Sequence, residues 1–418
     1  MSAVLACPAC NTTLPLTWTA AECRCGSLLE VRQEPARRGR ALRALFDGRL
    51  GGDAAVEGSG VWRFRELLLP GRGAPVTHPE GNTALYRREA VSRFALLDDL
   101  ALKHEGENPT GSFKDRGMTV ALTHAKRAGA RAVACASTGN TSASMAAYAA
   151  QAGLTALVFV PRGKVAAGKL AQALAYGART LLVAGDFDAC LRLVREAASA
   201  LGIALLNSVN PWRIEGQKTI VLEMLQQRRW QPPDWIVLPA GNLGNTSAFG
   251  KALVEARRFG LITRLPRLAA VQAEGASPFY RSFRTGFRQR FSVKPETVAT
   301  AIRIGDPASH ERGVRSIRET DGVVEAVSDA QILEAKAVVD AAGIGCEPAS
   351  AASVAGVRAL RRKGVIKKGE SVVAVLTGHL MKDPDAVIKY HAARGPRANA
   401  PIEIEGRLEE VEKLLKRR

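Results

Sequence analysis

Residues 131–162 read RAVACASTGNTSASMAAYAAQAGLTALVFVPR, and no charged residue stands between Arg131 and Arg162. Ala132–Ala136 is a short apolar run, Thr141–Gln151 is Ala-rich with helical spacing, and Ala156–Val160 is a second apolar, β-branched run. Between the first run and the helix sits Ser137-Thr138-Gly139-Asn140-Thr141. That polar interruption excludes a membrane span, which needs about 20 consecutive apolar residues. Strand, polar turn, helix, strand is the pattern of a parallel sheet in an α/β fold.

The same alternation extends in both directions. Thr180–Val183 reads as a strand, with helices over Ala166–Ala175 and Asp186–Ala200. A second series has strands at Trp235–Leu238, Leu268–Gln272 and Ser371–Leu376, with helices over Asn245–Arg258, Asp329–Ala342 and Ala349–Arg362. No internal repeat is present. Ala36–Val56 is basic and Gly-rich and reads as a linker carrying a short helix. Glu403–Arg418 reads as a charged amphipathic helix lying on the surface or on a partner subunit.

With 418 residues, 46% of them apolar, the chain can bury one large or two ordinary cores and is not globally disordered. The N-terminus has no basic region followed by an apolar run, so no signal peptide and a soluble, cytoplasmic protein are expected. The formal charge is +19, from 59 Lys+Arg against 40 Asp+Glu. An excess of that size is compatible with nucleic acid, anionic membrane, an anionic substrate, or an Arg-rich compositional habit. It is uneven: Arg257–Arg318 holds 13 basic and 4 acidic residues. No stacking-aromatic pattern accompanies it, so no specific nucleic-acid partner is expected and the stretch reads as a solvated basic face.

Of seven cysteines, Cys135, Cys190 and Cys346 are scattered in apolar surroundings and read as small buried hydrophobes. Cys7, Cys10, Cys23 and Cys25 crowd into 19 residues as C-x2-C-x12-C-x-C. In a long chain without a secretory signal this spacing favours one structural zinc on four thiolates over disulfides. The single spacer in the second pair tightens the turn around an ion, and unligated thiols are the other reading. Four protein ligands leave no open position, so the metal's role is structural.

Three Gly-polar segments occupy points where strands give way to helices, the ends at which ligands bind in open α/β sheets. The first is Asn108-Pro109-Thr110-Gly111-Ser112-Phe113-Lys114-Asp115-Arg116-Gly117, with a lysine opening a helix. The second is Ser137–Thr141, whose backbone N–H groups can cap a helix or hold a carboxylate or phosphate. The third is Pro239-Ala240-Gly241-Asn242-Leu243-Gly244-Asn245, able to curl around a phosphate but lacking P-loop and dinucleotide spacing.

Together and in this order the segments resemble the pyridoxal-phosphate enzymes of the tryptophan-synthase-β fold, and most closely the threonine synthase family. The resemblance covers about residues 60–390. It includes Gly81-Asn82-Thr83, Asn207–Arg213, Glu215–Thr219, Ala299–Gly305, Cys346–Ala351 and Leu376–Pro384. It implies a fold-type-II pyridoxal-phosphate enzyme: two α/β domains with mostly parallel sheets, plus a small N-terminal zinc-ribbon-like segment. The division that follows is residues 1–35 for the ribbon and 36–59 for the linker. The catalytic region takes 60–395, with a smaller subdomain near 110–215, and the terminal helix takes 396–418.

By that resemblance Lys114 forms a Schiff base with pyridoxal 5'-phosphate and later moves protons. Asn140 bonds the cofactor's 3-hydroxyl, Gly241, Asn242, Leu243, Gly244 and Asn245 hold its phosphate, and Thr377 partners the pyridine nitrogen. The implied substrate is a small phosphorylated amino acid, O-phosphohomoserine. Ser137, Thr138 and Thr141 receive its carboxylate, and Lys103, Asn207, Ser208 and Arg213 its phosphate. Loss of phosphate from Cγ and addition of water at Cβ then yield threonine. Relatives imply a homodimer. Thr377-Gly378-His379-Leu380 departs from the family's Thr-Gly-His-Gly, while His310 and Ala84 replace a common aromatic and proline. These departures bear on substrate fit, not on reaction type. Glu347, at a helix start, reads as a dipole stabiliser. Cysteate synthase and serine/threonine dehydratase share the fold and are the rival activities, and an inactive polyanion-binding scaffold is the rival class.

Overall fold

The computed structural model describes residues 2–416, apart from 19, 53, 55, 72, 164–166 and 394–396. Expectations at Ala166, at linker positions 53 and 55, at 394–396 and at 417–418 therefore lie outside the described residues. The chain opens with a three-stranded antiparallel sheet, β1 (Ser2–Ala6), β2 (Thr13–Leu14) and β3 (Glu30–Glu34), in the order β2-β1-β3. The stretch read as a linker is more than that. Its helix Gly39–Asp47 buries Leu42 and Phe46, an i,i+4 pair on one face, in the core of the larger layer. Phe46 meets Phe64 edge-on at 5.0 Å.

The main sheet begins with β4 (Leu85–Tyr86) and β5 (Leu100–His104), which are antiparallel. The chain then leaves it to build a second sheet from β6 (Ala132–Ala136), β7 (Thr155–Pro161), β8 (Arg179–Val183) and β9 (Ala204–Leu205). That sheet is parallel throughout, in the order β8-β7-β6-β9. The chain returns through β10 (Trp235–Pro239), β11 (Arg267–Ala273), β12 (Val323–Val327) and β13 (Val372–Leu376). The completed order is β12-β11-β10-β13-β5-β4, parallel except at the β4 edge. Both faces are covered, which is why its strands are continuous apolar runs. Ile236 and Leu238 of β10 enter one core, while Trp235 and Val237 enter the other.

Helix Lys114–Arg127 packs against helix Pro211–Gln217, and both contribute to the core of the second layer. A Cβ on Gly216 would lie 1.8 Å from the Arg116 carbonyl oxygen, so only glycine permits this approach. Beneath this contact is a buried ion network. The Glu223 carboxylate accepts from Lys103 Nζ at 2.6 Å, Arg116 Nη2 at 2.8 Å and Arg63 Nη2 at 2.9 Å. It also accepts from the backbone N–H groups of Asn82 and Thr83.

Two sequence expectations change. The terminal helix starts later than expected, at Leu408, and runs to Lys416, leaving Leu408, Val411 and Leu415 exposed and Leu414 half-buried. The Arg257–Arg318 stretch is less solvated than its composition suggests: Arg312 is buried and donates to the Leu29 carbonyl, and Arg315 pairs with Glu30 at 2.6 Å. Among the described residues no helix is long and apolar enough to cross a membrane.

Burial pushes the Glu223 carboxyl up, but Arg116 and Lys103 more than reverse this and hold it well below the usual range. A depressed folded-state pKa contributes stability above the unfolded value, and this is lost as pH falls through the carboxylate range. Urea titrations should therefore show a midpoint that declines below about pH 4.5. Glu223→Ala should cost about 3–5 kcal/mol at neutral pH, because buried cations are left unpaired.

Candidate active site

Three loops converge at the carboxyl ends of the parallel strands: 137–141 after β6, 239–245 after β10 and 377–384 after β13. The lysine segment is fastened to the last of them by its backbone. Phe113 N–H donates to the Thr377 carbonyl at 3.0 Å and His379 N–H to the Gly111 carbonyl at 2.9 Å. Asp115 closes the turn, accepting from Thr110 N–H at 2.7 Å and Thr110 Oγ1 at 2.6 Å. Burial pushes the Asp115 carboxyl up to about 6, against the pull of these bonds.

Lys114, the first residue of its helix, lies over the Phe113 ring with Nζ 4.1 Å from the ring centroid. Burial and then the nearby Arg213 guanidinium push its amine down to about 7, with Glu347 opposing. Arg213 is fully buried. Its Nη1 donates to the Leu206 carbonyl at 3.1 Å, while Nε and Nη2 are buried without a partner. Burial lowers Arg213 to about 10. A buried cation with two unmade hydrogen bonds is costly, and an anion seated against it removes that cost.

A second set of unmade bonds lies at the first turn of helix Gly244–Arg258. Asn245 Nδ2 and Oδ1 and Thr246 Oγ1 are buried without partners. Leu243 precedes them at φ +62°, the left-handed turn that aims the loop, and Asn242 Oδ1 accepts from Ala308 N–H at 3.3 Å. Gly241 is pressed by Ile302 and Ile304, so residues 299–305 form the wall behind the loop. A helix N-terminus with free donors is an anion site, and its donor set fits a phosphate.

The remaining predicted residues divide. Ser137, Thr138, Asn140 and Thr141 are half-buried on the loop and first turn after β6. Asn207 is tied to the end of β6, accepting from Ala136 N–H at 3.2 Å, and Ser208 is half-buried beside it. Thr377 Oγ1 lies 3.1 Å from Ser350 Oγ, which also accepts from Gly378 N–H at 2.9 Å. Lys103 is a correction. Its ammonium is spent on Glu223, the Thr83 carbonyl at 2.7 Å and Gln227 at 2.9 Å, so no donor remains for a substrate phosphate.

Glu347 is the group that sequence reading undervalued. Its side chain makes no cap hydrogen bond at its helix start. It reaches across the cleft instead and accepts from Asn140 Nδ2 at 3.1 Å, and burial pushes its carboxyl up. The signal was the buried-looking Cys346-Glu347-Pro348-Ala349-Ser350-Ala351 run, which also supplies Ser350.

An amine on a pocket lysine, facing two sets of phosphate-fitting donors, is suited to carry an aldehyde cofactor that bears a phosphate. The sequence profile described as "Pyridoxal-phosphate dependent enzyme" matches residues 76–378, and the chain belongs to that family. Threonine synthase of Methanocaldococcus jannaschii is 42% identical over 98% of both chains. That of Methanosarcina acetivorans is 50% identical over 78% of this chain and 81% of its own. Within the family the chain thus falls among the threonine synthases, which are lyases. The crystal structure of threonine synthase from Escherichia coli has the same fold: TM-score 0.68 at 19% identity, covering 98% of this chain and 94% of that one.

Because its ammonium is disfavoured, Lys114 should react with small aldehydes at a rate that rises through about pH 7, not near the usual 10.5. Reductive methylation of the cofactor-free protein, followed by peptide mass mapping, reads this midpoint. Glu347→Gln should move it lower still, since the carboxylate favours the charged amine.

Proposed function

We propose that the protein converts O-phosphohomoserine and water to L-threonine and phosphate, by β,γ-elimination and replacement. The observation that carries this reading is the Arg213 guanidinium, buried near Lys114 with two nitrogens unpartnered. It is a second anion site beside the one at Asn245 and Thr246. A dehydratase acting on unphosphorylated serine or threonine has no use for it. The names of the relatives support the same reaction class.

Pyridoxal phosphate, held at Lys114 Nζ, supplies an electron sink for charge that develops at the substrate's Cα. Asn245, Thr246 and the N–H groups of the 241–245 loop hold its phosphate. Asn140 would donate to its 3-oxygen, and Thr377 would offer its ring nitrogen a neutral hydroxyl. Ser137, Thr138 and Thr141 orient the substrate carboxylate. Arg213, with Asn207 and Ser208, clamps the substrate phosphate. Freed when the substrate amine takes its place on the cofactor, Lys114 Nζ would take the Cα proton and then one from Cβ, and would return one proton to Cγ after phosphate has left and one to Cα after water has added. Phosphate departs from Cγ into the Arg213 site, and water adds at Cβ with that phosphate as base. Glu347 holds the Asn140 amide in place. The resemblance further supports a cytoplasmic homodimer.

Phosphate release measured with O-phosphohomoserine, and separately with O-phosphoserine plus sulfite, tests the reaction. Consumption of the second pair without the first overturns this reading. Lys114→Ala should abolish turnover and the cofactor's bound absorbance. Arg213→Met should raise KM and weaken inhibition by inorganic phosphate about 10–100-fold, the worth of a charge-assisted hydrogen bond.

The same chain holds one structural zinc in this reading. The Sγ atoms of Cys7, Cys10, Cys23 and Cys25 lie within 4.8 Å of one another, an arrangement suited to a tetrahedral ion. Metal analysis of the purified protein should return one zinc per chain. Thiol titration with and without chelator should differ by four reactive groups, matching those four cysteines.

A further inference from the structure

The ribbon has almost no core of its own. Cys7, Cys23 and Leu29 make up its buried cluster, with Leu14 and Trp18 half-buried against it. Its strands lean on the catalytic body instead, Leu5 and Val31 entering the core of the second layer with Ala3 and Leu16 packed against it, so the cysteine-bearing loops of residues 7–25 are the part that a metal would hold in shape. Yet its third strand sits at a sensitive place. In β3, Val31 and Gln33 point inward while Arg32 is exposed. Gln33 is buried, and its Nε2 donates to Glu215 Oε2 at 2.7 Å and to the Leu68 carbonyl. The Val31 carbonyl accepts from Lys251 Nζ, which also pairs with Glu215. Lys218 ties Glu215, at 2.5 Å, to Glu255, at 2.7 Å.

Glu215 stands two residues after Arg213 on helix Pro211–Gln217. Lys251 and Glu255 stand on helix Gly244–Arg258, whose first turn carries Asn245 and Thr246. β3 is therefore the brace at the junction of the two helices that present the unpartnered anion donors. A further contact steadies the first helix from the ribbon side. His124 Nε2 lies 2.7 Å from the Leu16 carbonyl, and its ring stacks on Trp212, next to Arg213, at 4.5 Å.

We propose that the four-cysteine metal site controls the geometry of the anion-binding cleft. The metal holds the loops that lead into β3, and β3, through Gln33, Lys251 and Glu215, sets the angle and depth of the two helices that carry Arg213 and Asn245–Thr246. Gln33 is thus a positioning residue, acting through Glu215. This rests on the zinc and phosphate-cleft readings above. Disorder of the ribbon frees Glu215 to draw Lys218 and Lys251 into other pairings, and the Arg213 donors lose their aim.

The test uses the cofactor-loaded full chain, with metal content and turnover of O-phosphohomoserine measured first. Three samples are compared: the protein as isolated, the protein stripped with a thiol-competent chelator, and Gln33→Leu with zinc retained. Gln33→Asn, one methylene short of Glu215, stands in if the leucine variant does not fold. The readouts are inhibition by inorganic phosphate, KM against kcat, and the far-ultraviolet circular dichroism. Stripping and Gln33→Leu should each weaken phosphate binding and raise KM about 5–100-fold, with kcat changed less than about 3-fold and helix content kept. Zinc should restore the stripped protein and not the variant. In a protein isolated with zinc, phosphate affinity unchanged both by stripping and by Gln33→Leu overturns the proposal and leaves the zinc reading standing. A protein isolated with no metal and four reactive thiols overturns both. Absence of turnover in the untreated protein identifies failure of the reaction assignment separately.

Discussion

Arg116 is clamped between two buried carboxylates, and the position of the reactive lysine depends on that clamp. Its Nε and Nη2 make a two-point contact with Glu105, at 2.6 and 2.8 Å, and Nη2 also reaches Glu223. Glu105 follows β5 of the main sheet and Glu223 lies on helix Thr219–Gln227, so one guanidinium joins three separate parts of the chain. Lys114 is two residues away at the start of the same helix. Fixed, hydrogen-bonded charge pairs of this kind tolerate little displacement, because each group would be left buried and alone. The cleft inherits its rigidity from them.

Around that fixed point the electrostatics of the cleft are deliberately unfinished. Burial and Arg213 push the Lys114 amine down while burial pushes the Glu347 carboxyl up, each toward its neutral form. Groups displaced in opposite senses in one site are a mark of acid–base chemistry. The unpartnered nitrogens of Arg213 and the free amide and hydroxyl of Asn245 and Thr246 are of a piece with this. Stability alone would pair them. In the proposed reaction an anionic cofactor and an anionic substrate supply the missing partners.

Much of this was legible in one dimension. The strands at 132–136, 235–239 and 372–376 follow apolar runs that need burial on both faces, and the lysine and Gly-polar loops sit at their carboxyl ends. Other parts were not. β9 and β4 have two residues each, too short for any periodic signal. The short helix expected in the 36–56 stretch is Gly39–Asp47, but its docking into the main core was hidden in basic text because only Leu42 and Phe46 are buried. Arg312 and Arg315 looked like surface charge until the ribbon's Leu29 carbonyl and Glu30 were brought to them.

By itself the sequence determined the α/β alternation and the order of the loops, since both are written in local spacing, and the resemblance of those loops to the family singled out Lys114 as the proposed reactive amine. Only the tertiary structure decided which of the candidate phosphate-binding cations already has partners within the chain. By the family resemblance Lys103 and Arg213 are alike expected to face the substrate phosphate, and both prove to be buried. Glu223, 120 residues beyond Lys103, neutralises the first, and nothing among the described residues neutralises the second at Nε and Nη2. The physical reason is that a buried charge is defined by its partner, and partners across long separations leave no trace in local pattern.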